Sequence, residues 1–252
     1  MEPSLPLMPN KYPQLKIRNL DLLNPRDKLL FNKRLFTVVA PVYQFVTQAL
    51  SFGRDSAWKR KLIQGLPAIK NPQCLDLACG TGDIAFALAE KYAGGSIVGL
   101  DINEKMLTLA KTKSAFPNIR FVLGDMSHTS FENDRFDVIT GGYALRNAPS
   151  VPETLKEIFR ILKPGGYCTL LDFSKSHRPW LQAVSLFFLT IWGGLWGLIL
   201  HGNPDIYAYI AKSLKYFPDR AALKILLAET GFKNISSRLL FFGFLEIITF
   251  EK

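Results

Sequence analysis

The stretch LDLACGTGDIAFALAE, Leu75 to Glu90, decides how the rest of the chain is read. A short apolar run ends in a glycine turn, and the turn opens a segment whose apolar residues recur at helical spacing. Gly80 and Gly82 permit positive φ and close approach of a ligand to the backbone. The helix start behind them offers unpaired N–H groups to an anionic ligand group such as a carboxylate. A strand, a glycine turn and a helix in this order make a ligand-binding turn. CGTGD alone lacks the GxGxxG spacing of a dinucleotide site, so its weight depends on what surrounds it.

Outward from this turn, short apolar runs alternate with helical stretches from Gln73 onward, the pattern of α and β units around a mostly parallel sheet. CLDLA is the first strand, followed by SIVGLDI, IRFVLGD, DVITGGYA and YCTLLDFS; GDIAFALAEKY, EKMLTLAKTKSA and VPETLKEIFRILK are the helices between them. The runs are nearly continuous in apolar residues, as strands covered on both faces must be. ISSRLLFF and FLEIITFE, joined at Gly243, predict a closing antiparallel hairpin. The expected fold is α/β, a seven-stranded, mostly parallel Rossmann-like sheet. Upstream, the apolar residues from Asp27 to Leu66 recur at helical spacing, with breaks at Pro41 and at Ser51 to Gly53, and predict an N-terminal helical layer. The expected organisation is an irregular arm over 1–30 and a single domain over 31–252. Within that domain, 31–70 is a helical cap and 178–215 an apolar lid insertion.

The second strand ends at Asp101, 25 positions after Asp76, where an acidic side chain can accept both hydroxyls of a ribose. The third ends in Asp125-Met126, a carboxylate for an adenine amino group beside a side chain that can cover the ring face. Any one acidic strand end could be a helix cap or a loop charge. Three in register point to one ligand.

The succession DLACGTGD, GLDIN, GDM, YALRNAP and EIFRILKPGGYCTLLDFSK resembles the class I S-adenosylmethionine-dependent methyltransferases. More narrowly, it resembles the C-methyltransferases of ubiquinone and menaquinone biosynthesis. The resemblance extends to APVYQFVTQALSFGRDSAWKR and DIYAYIAKSLKYFPDRAALKILLAETGF, and covers roughly Lys33 to Phe244. It implies a methyltransferase sheet with S-adenosyl-L-methionine as cofactor. The implied cofactor residues are Asp76, Gly80, Thr81, Gly82, Asp83, Asp101, Ile102, Asp125 and Met126. Gly80 and Gly82 would hold the methionine part, Asp101 the ribose and Asp125 the adenine end. The resemblance places Arg146 and Asn147 beside the transferable methyl, with Tyr43 as a further contact and Tyr207, Tyr209 and Ser213 on the substrate side. A guanidinium near a ring hydroxyl favours the phenolate that makes a ring carbon nucleophilic, so Arg146 orients and stabilises rather than removes the proton. Against this, Arg146 could form a simple ion pair with an acidic neighbour. Where the family has Tyr-Asp and then Asn, this chain has Tyr43-Gln44 and Thr47, so a carboxylate is replaced by an amide. Tyr207 and Tyr209, at i and i+2, are not expected to face inward together on one helix.

Composition narrows the alternatives. The net charge of +10 is spread over the chain, which allows attraction to anionic lipid, whereas no amino-methylating Pro-Pro motif or pyrimidine-attacking cysteine follows the fourth strand, and nucleic acid is disfavoured. Cys74, Cys79 and Cys168 fit neither a disulfide framework nor a zinc site, and the three histidines have no metal-ligand spacing; a reducing cytoplasm and no metal are expected. The N-terminus lacks the order of a secretory signal. The expected reaction is transfer of a methyl to a ring carbon of a reduced prenylated quinone, a demethylmenaquinol or a ubiquinol precursor. Another lipophilic acceptor (a terpenoid, sterol or phenol) is one rival, and a catalytically silent scaffold in a quinone-synthesis complex is the other. Expected partners are the lipophilic quinone and the inner face of a membrane, with a homodimer or biosynthetic complex possible.

WLQAVSLFFLTIWGGLWGLIL, Trp180 to Leu200, has no charged residue and is long enough to cross a bilayer. A single crossing would strand the closing hairpin away from the strands it pairs with. Gly193-Gly194 predicts a break into shorter pieces, and the expected role is an apolar lid with tryptophans at a membrane interface.

Overall fold

The computed structural model describes residues 12–252. One sheet of seven strands runs β3-β2-β1-β4-β5-β7-β6. The strands are β1 Gln73–Leu77, β2 Ser96–Asp101, β3 Ile119–Leu123, β4 Phe136–Gly142, β5 Leu162–Phe173, β6 Lys233–Leu240 and β7 Leu245–Glu251. β1 to β5 pair in parallel, and β7 enters antiparallel between β5 and β6, so the predicted sheet and closing hairpin are both present. Strand order reverses between β1 and β4, and the carboxyl ends of strands at such a switch point are where open α/β sheets place ligands.

Alternation along the strands supplies both faces of the core. Leu75, Leu77, Ile139, Cys168, Leu170, Ile248 and Phe250 pack with α6 (Val151–Ile161) and α9 (Arg220–Thr230). Cys74, Val138, Leu171 and Ile247 pack on the other face with α3 (Asp55–Gln64) and α4 (Asp83–Lys91). α5, Glu104–Lys113, is capped by Asn103, whose side chain accepts from the Lys105 and Met106 amides.

A third cluster forms the expected N-terminal layer. It joins α1 (Pro25–Val39) and α2 (Tyr43–Leu50) to Ile206, Tyr207 and Tyr209 of α8 (Asp205–Tyr216). The breaks fall where Pro41 and Ser51 to Gly53 place them. α1 starts earlier than residue 31, because Asn24 caps it and Pro25 fits a first helical position. Residues 1–11 of the expected arm lie outside the described residues. From Tyr12 the chain is docked: the Asn203 amide donates to the Tyr12 and Leu15 carbonyls at 3.1 and 3.3 Å, and the Lys212 ammonium donates to those of Ile17 and Leu20.

The expected break at Gly193-Gly194 is absent. α7 runs unbroken from Pro179 to His201 and packs antiparallel on α8. A Cβ on Gly193 would lie 2.6 Å from the Tyr207 carbonyl oxygen, and one on Gly197 2.5 Å from that of Asn203. The glycines let two backbones approach closely, and that packing outweighs their poor helix propensity of about 1 kcal/mol each. The order of the sheet still requires β7 to return beside β5.

Candidate active site

Three connected hollows open at the carboxyl ends of β1, β2 and β4. The first, about 660 Å³ with its open mouth, is lined by Gly80, Asp101, Ile102, Asp125 and Met126 from the strand ends and by Leu29, Asn32 and Phe36 from α1. A smaller recess beside it collects Asp76, Thr81 and Asp83 with Lys59. The third, about 900 Å³ with its mouth, is predominantly apolar and lies under α2, α7 and α8. Phe36, Tyr43, Tyr143 and Asn147 line both the first and the third, so a ligand in one meets a ligand in the other across these four side chains.

The glycine turn has the geometry its sequence requires. Gly80 and Gly82 have φ of 54° and 91°, and a Cβ on Gly82 would come within 2.7 Å of the Phe86 ring. Gly82 is the N-cap of α4 and shapes the turn without lining a hollow. Asp101 locks the turn to β2: its carboxylate accepts from the Gly80 and Asn103 amides, both at 2.8 Å. A carboxylate has lone pairs beyond these two, so Asp101 can still accept ribose hydroxyls. Asp125 accepts from the Ser127 amide at 2.8 Å, and Met126 stands beside it on the lining.

Asp76 is almost wholly buried, and the Thr140 hydroxyl donates to its Oδ1 at 2.9 Å; among the described residues its Oδ2 has no partner, nor has the Thr81 hydroxyl. Burial pushes the Asp76 carboxyl up to about 7, partly opposed by the Thr140 hydrogen bond, and pushes Asp101 up to about 6 against its backbone hydrogen bonds. Buried acceptors left unpaired are costly, and an ammonium and a carboxylate brought by a ligand would satisfy them and use the α4 amides. The residues present therefore fit S-adenosyl-L-methionine: Asp76 and Thr81 would meet the methionine part, Asp101 the ribose and Asp125 with Met126 the adenine end.

The recess is supported by side chains from α3 and from the residue after β4. The Lys59 ammonium lies 2.7 Å from Asp55 and 2.8 Å from Asp83, and Tyr143 donates to Asp55 at 2.8 Å. Neighbouring carboxylates raise the Lys59 pKa against the effect of burial. The i, i+4 spacing of Asp55 and Lys59 was the available signal. Nothing in the sequence tied them to Asp83.

On the apolar side, Arg146 is buried in the short 3₁₀ turn Leu145–Asn147. Its amide donates to Asp172 Oδ2 at 2.9 Å, Nε stands 3.5 Å from Asp172 Oδ1, and Nη1 donates to Asn147 Oδ1 and to the Ser213 hydroxyl. Nε is buried without a hydrogen-bond partner among the described residues, and the side chain lines the cavity, so the guanidinium keeps donor capacity for a ligand there. Ser213 is thus behind Arg146 and not on the lining. Tyr207 and Tyr209 both line the cavity, contrary to expectation, because α8 is packed around most of its circumference. Burial raises Tyr43 and Tyr209 to about 12, which keeps both phenols neutral. Gln44 points outward, where its amide oxygen accepts from Lys113 at 3.1 Å, so the replaced carboxylate position is not on the cavity wall. His201 bonds the Tyr207 hydroxyl at 2.9 Å and ties the end of α7 to α8. No cluster of three or more metal-ligand side chains exists among the described residues.

Residues 26–249 match the ubiE/COQ5 methyltransferase family. The demethylmenaquinone methyltransferase of Lactobacillus johnsonii is 35% identical over 206 residues, covering 80% of this chain and 84% of that protein. The ubiquinone/menaquinone biosynthesis C-methyltransferase UbiE of Rickettsia bellii is 35% identical over 233 residues, covering 89% and 94%. Among solved structures, a SAM-dependent methyltransferase from Aquifex aeolicus superposes with a TM-score of 0.55 at 14% identity, covering 76% of this chain and 88% of that one, a likeness of fold.

Proposed function

We infer, for a chain that belongs to the ubiE/COQ5 methyltransferase family and is an S-adenosylmethionine-dependent C-methyltransferase of quinone biosynthesis, that its acceptor is a reduced prenylated quinone, a demethylmenaquinol or a ubiquinol precursor. The observation that carries this is an apolar cavity with one guanidinium on its wall, joined to the cofactor cleft at Phe36, Tyr43, Tyr143 and Asn147.

The bound cofactor supplies an electrophilic methyl on a sulfonium. The protein's share is to bring a ring carbon into line with it and to make that carbon nucleophilic. The donor capacity left on the Arg146 guanidinium serves to hydrogen-bond a ring hydroxyl and favour its ionised form in a cavity of low polarity. Asp172 and Ser213 fix the guanidinium, and Asn147 bridges Arg146 and the Tyr143 carbonyl. Tyr43 and Tyr209, held neutral, serve as hydrogen-bonding and stacking walls rather than as bases. The ring proton that the methyl replaces would leave to water, and Arg146, permanently charged, would orient that water or the ring hydroxyl without accepting the proton.

Gln44 and the apolar C-terminal region both motivate a lipophilic acceptor of another kind; the outward orientation of Gln44 removes the first motive, and the acceptor assay below decides the second. A silent scaffold has no need of an unpaired Asp76 oxygen or a ribose acceptor. We also assign the membrane surface as the source of the substrate, with the protein on its cytoplasmic face, because a prenyl tail is dissolved in lipid and the cavity lies under apolar α7. Incubation with labelled cofactor and a panel of reduced quinones tests the acceptor: label in a quinol ring supports the assignment, and label only in a terpenoid or in nothing refutes it.

A further inference from the structure

The outer face of α7 is apolar except at Thr190, whose hydroxyl donates back to the Leu186 carbonyl of the same helix. Trp180, Val184, Phe187, Phe188, Ile191, Leu195, Leu198 and Ile199 recur at helical spacing and are all exposed, with Phe187 at 71%. A surface helix normally carries polar residues there. Two loop tips flank this face. Phe52 sits between α2 and α3 with φ of 53°, and Phe241-Phe242 turns from β6 into β7 with φ of 47° and 55°. A bulky side chain in the left-handed region costs about 1–2 kcal/mol per residue, and glycine or asparagine would make either turn more easily. The strain holds aromatic rings outward: Phe242 is 96% exposed and Phe52 half exposed.

The tips are continuous with the cavity. Phe52 stacks on Trp192 at 4.9 Å and packs against Phe188 and Phe241, and Phe241 packs against Trp58 at 5.6 Å. Phe188, Phe241 and Trp58 all line the apolar cavity. An aromatic path therefore leads from the exposed tips to the substrate space. Basic side chains flank the face: Arg54 follows the Phe52 tip and Arg178 precedes α7, both exposed and neither with a carboxylate partner among the described residues. α7 contains no charged Asp, Glu, Lys or Arg, and the chain carries +10.

We propose that the outer face of α7 and the tips Phe52 and Phe242 form one insertion surface for an anionic lipid bilayer, whose aromatic path delivers the acceptor's tail into the cavity. This deepens, and rests on, the assignment of a lipid-dissolved quinol. Apolar side chains supply the insertion, and Arg54 and Arg178 supply attraction to anionic headgroups, the division of labour of an interfacial helix. A fluid bilayer accommodates protruding tips without a complementary pocket.

The test compares the full chain with a Phe187→Asp/Phe242→Asp variant. Both side chains are on the outside, and aspartate tolerates the left-handed φ at 242, so the fold is preserved; circular dichroism and cofactor titration check this. Co-sedimentation is measured with phosphatidylcholine vesicles, with and without phosphatidylglycerol. The wild type should bind, more tightly to the anionic vesicles, and the variant should lose at least about tenfold in partition. The variant should also lose turnover of a long-tailed quinol in vesicles while keeping turnover of a short-tailed, water-soluble one. Unchanged vesicle binding by the folded variant overturns the proposal. So does a wild-type dimer in solution that the substitutions dissociate, because the face would then be covered by a second copy. Vesicle binding without methylation of either quinol would leave the surface standing and refute the acceptor instead.

Discussion

Asp76→Asn separates the two demands placed on the methionine recess. In the folded protein burial raises the Asp76 carboxyl from 3.8 to about 7. A carboxyl raised in this way contributes stability that is present below its unfolded pKa and lost as pH rises through the folded one. Three pKa units at about 1.4 kcal/mol each give an upper bound of about 4 kcal/mol for the cost of ionising Asp76 in the cofactor-free protein at pH 8. Asparagine keeps the Thr140 hydrogen bond through its carbonyl but leaves its amide without an acceptor, at about 1–3 kcal/mol. The variant should therefore be more stable than wild type by about 1–3 kcal/mol at pH 8, and the advantage should vanish or reverse near pH 4. Cofactor affinity moves the other way, because a charge-assisted bond worth about 1.5–3 kcal/mol is lost, weakening binding roughly ten- to hundredfold. Urea denaturation from pH 4 to 8 and calorimetric titration with the cofactor measure both. A stability difference that does not vary with pH, or an unchanged dissociation constant, would refute the assignment of Asp76.

Asp101→Ala should abolish cofactor binding in the same titration, since it removes the ribose acceptor and unlocks the Gly80 amide. Arg146→Ala should leave cofactor affinity nearly intact and lower kcat by about 10²–10³, the usual loss of one transition-state donor; an equal loss of cofactor affinity in both variants would contradict the division of roles. Gly193→Leu should destabilise the fold by more than about 2 kcal/mol in denaturant titration, because the new side chain would enter the α8 backbone at Tyr207. A neutral result would mean that the α7 and α8 contact is not close-packed.

The chemistry of one ligand is legible because it lies at strand ends, where sequence order and position in the sheet coincide: Asp76 is one residue before the end of β1, Asp101 ends β2 and Asp125 follows β3. The α1 contribution of Leu29, Asn32 and Phe36 was not legible, since helical periodicity shows that a face is buried but not against what. The same reason hid Lys59 and Tyr143, whose partners Asp83 and Asp55 are remote in sequence. Intrinsic propensity alone predicts a break at Gly193-Gly194, because the backbone that requires glycine at 193 and 197 arrives only with the segment from Asn203 to α8. Tyr207 and Tyr209 were misjudged on the assumption of a helix with a single inner face, whereas α8 is enclosed.

The central claim is that Arg146 and the cofactor cleft act on one ring held in the apolar cavity. The most direct measurement is the mass and labelling position of the product formed from reduced demethylmenaquinone and methyl-labelled S-adenosylmethionine. The account predicts a quinone heavier by one methyl in place of hydrogen, with the label on a ring carbon, formed by Arg146→Ala at a rate lower by about 10²–10³. A labelled ring oxygen, or an unchanged rate in Arg146→Ala, would contradict it.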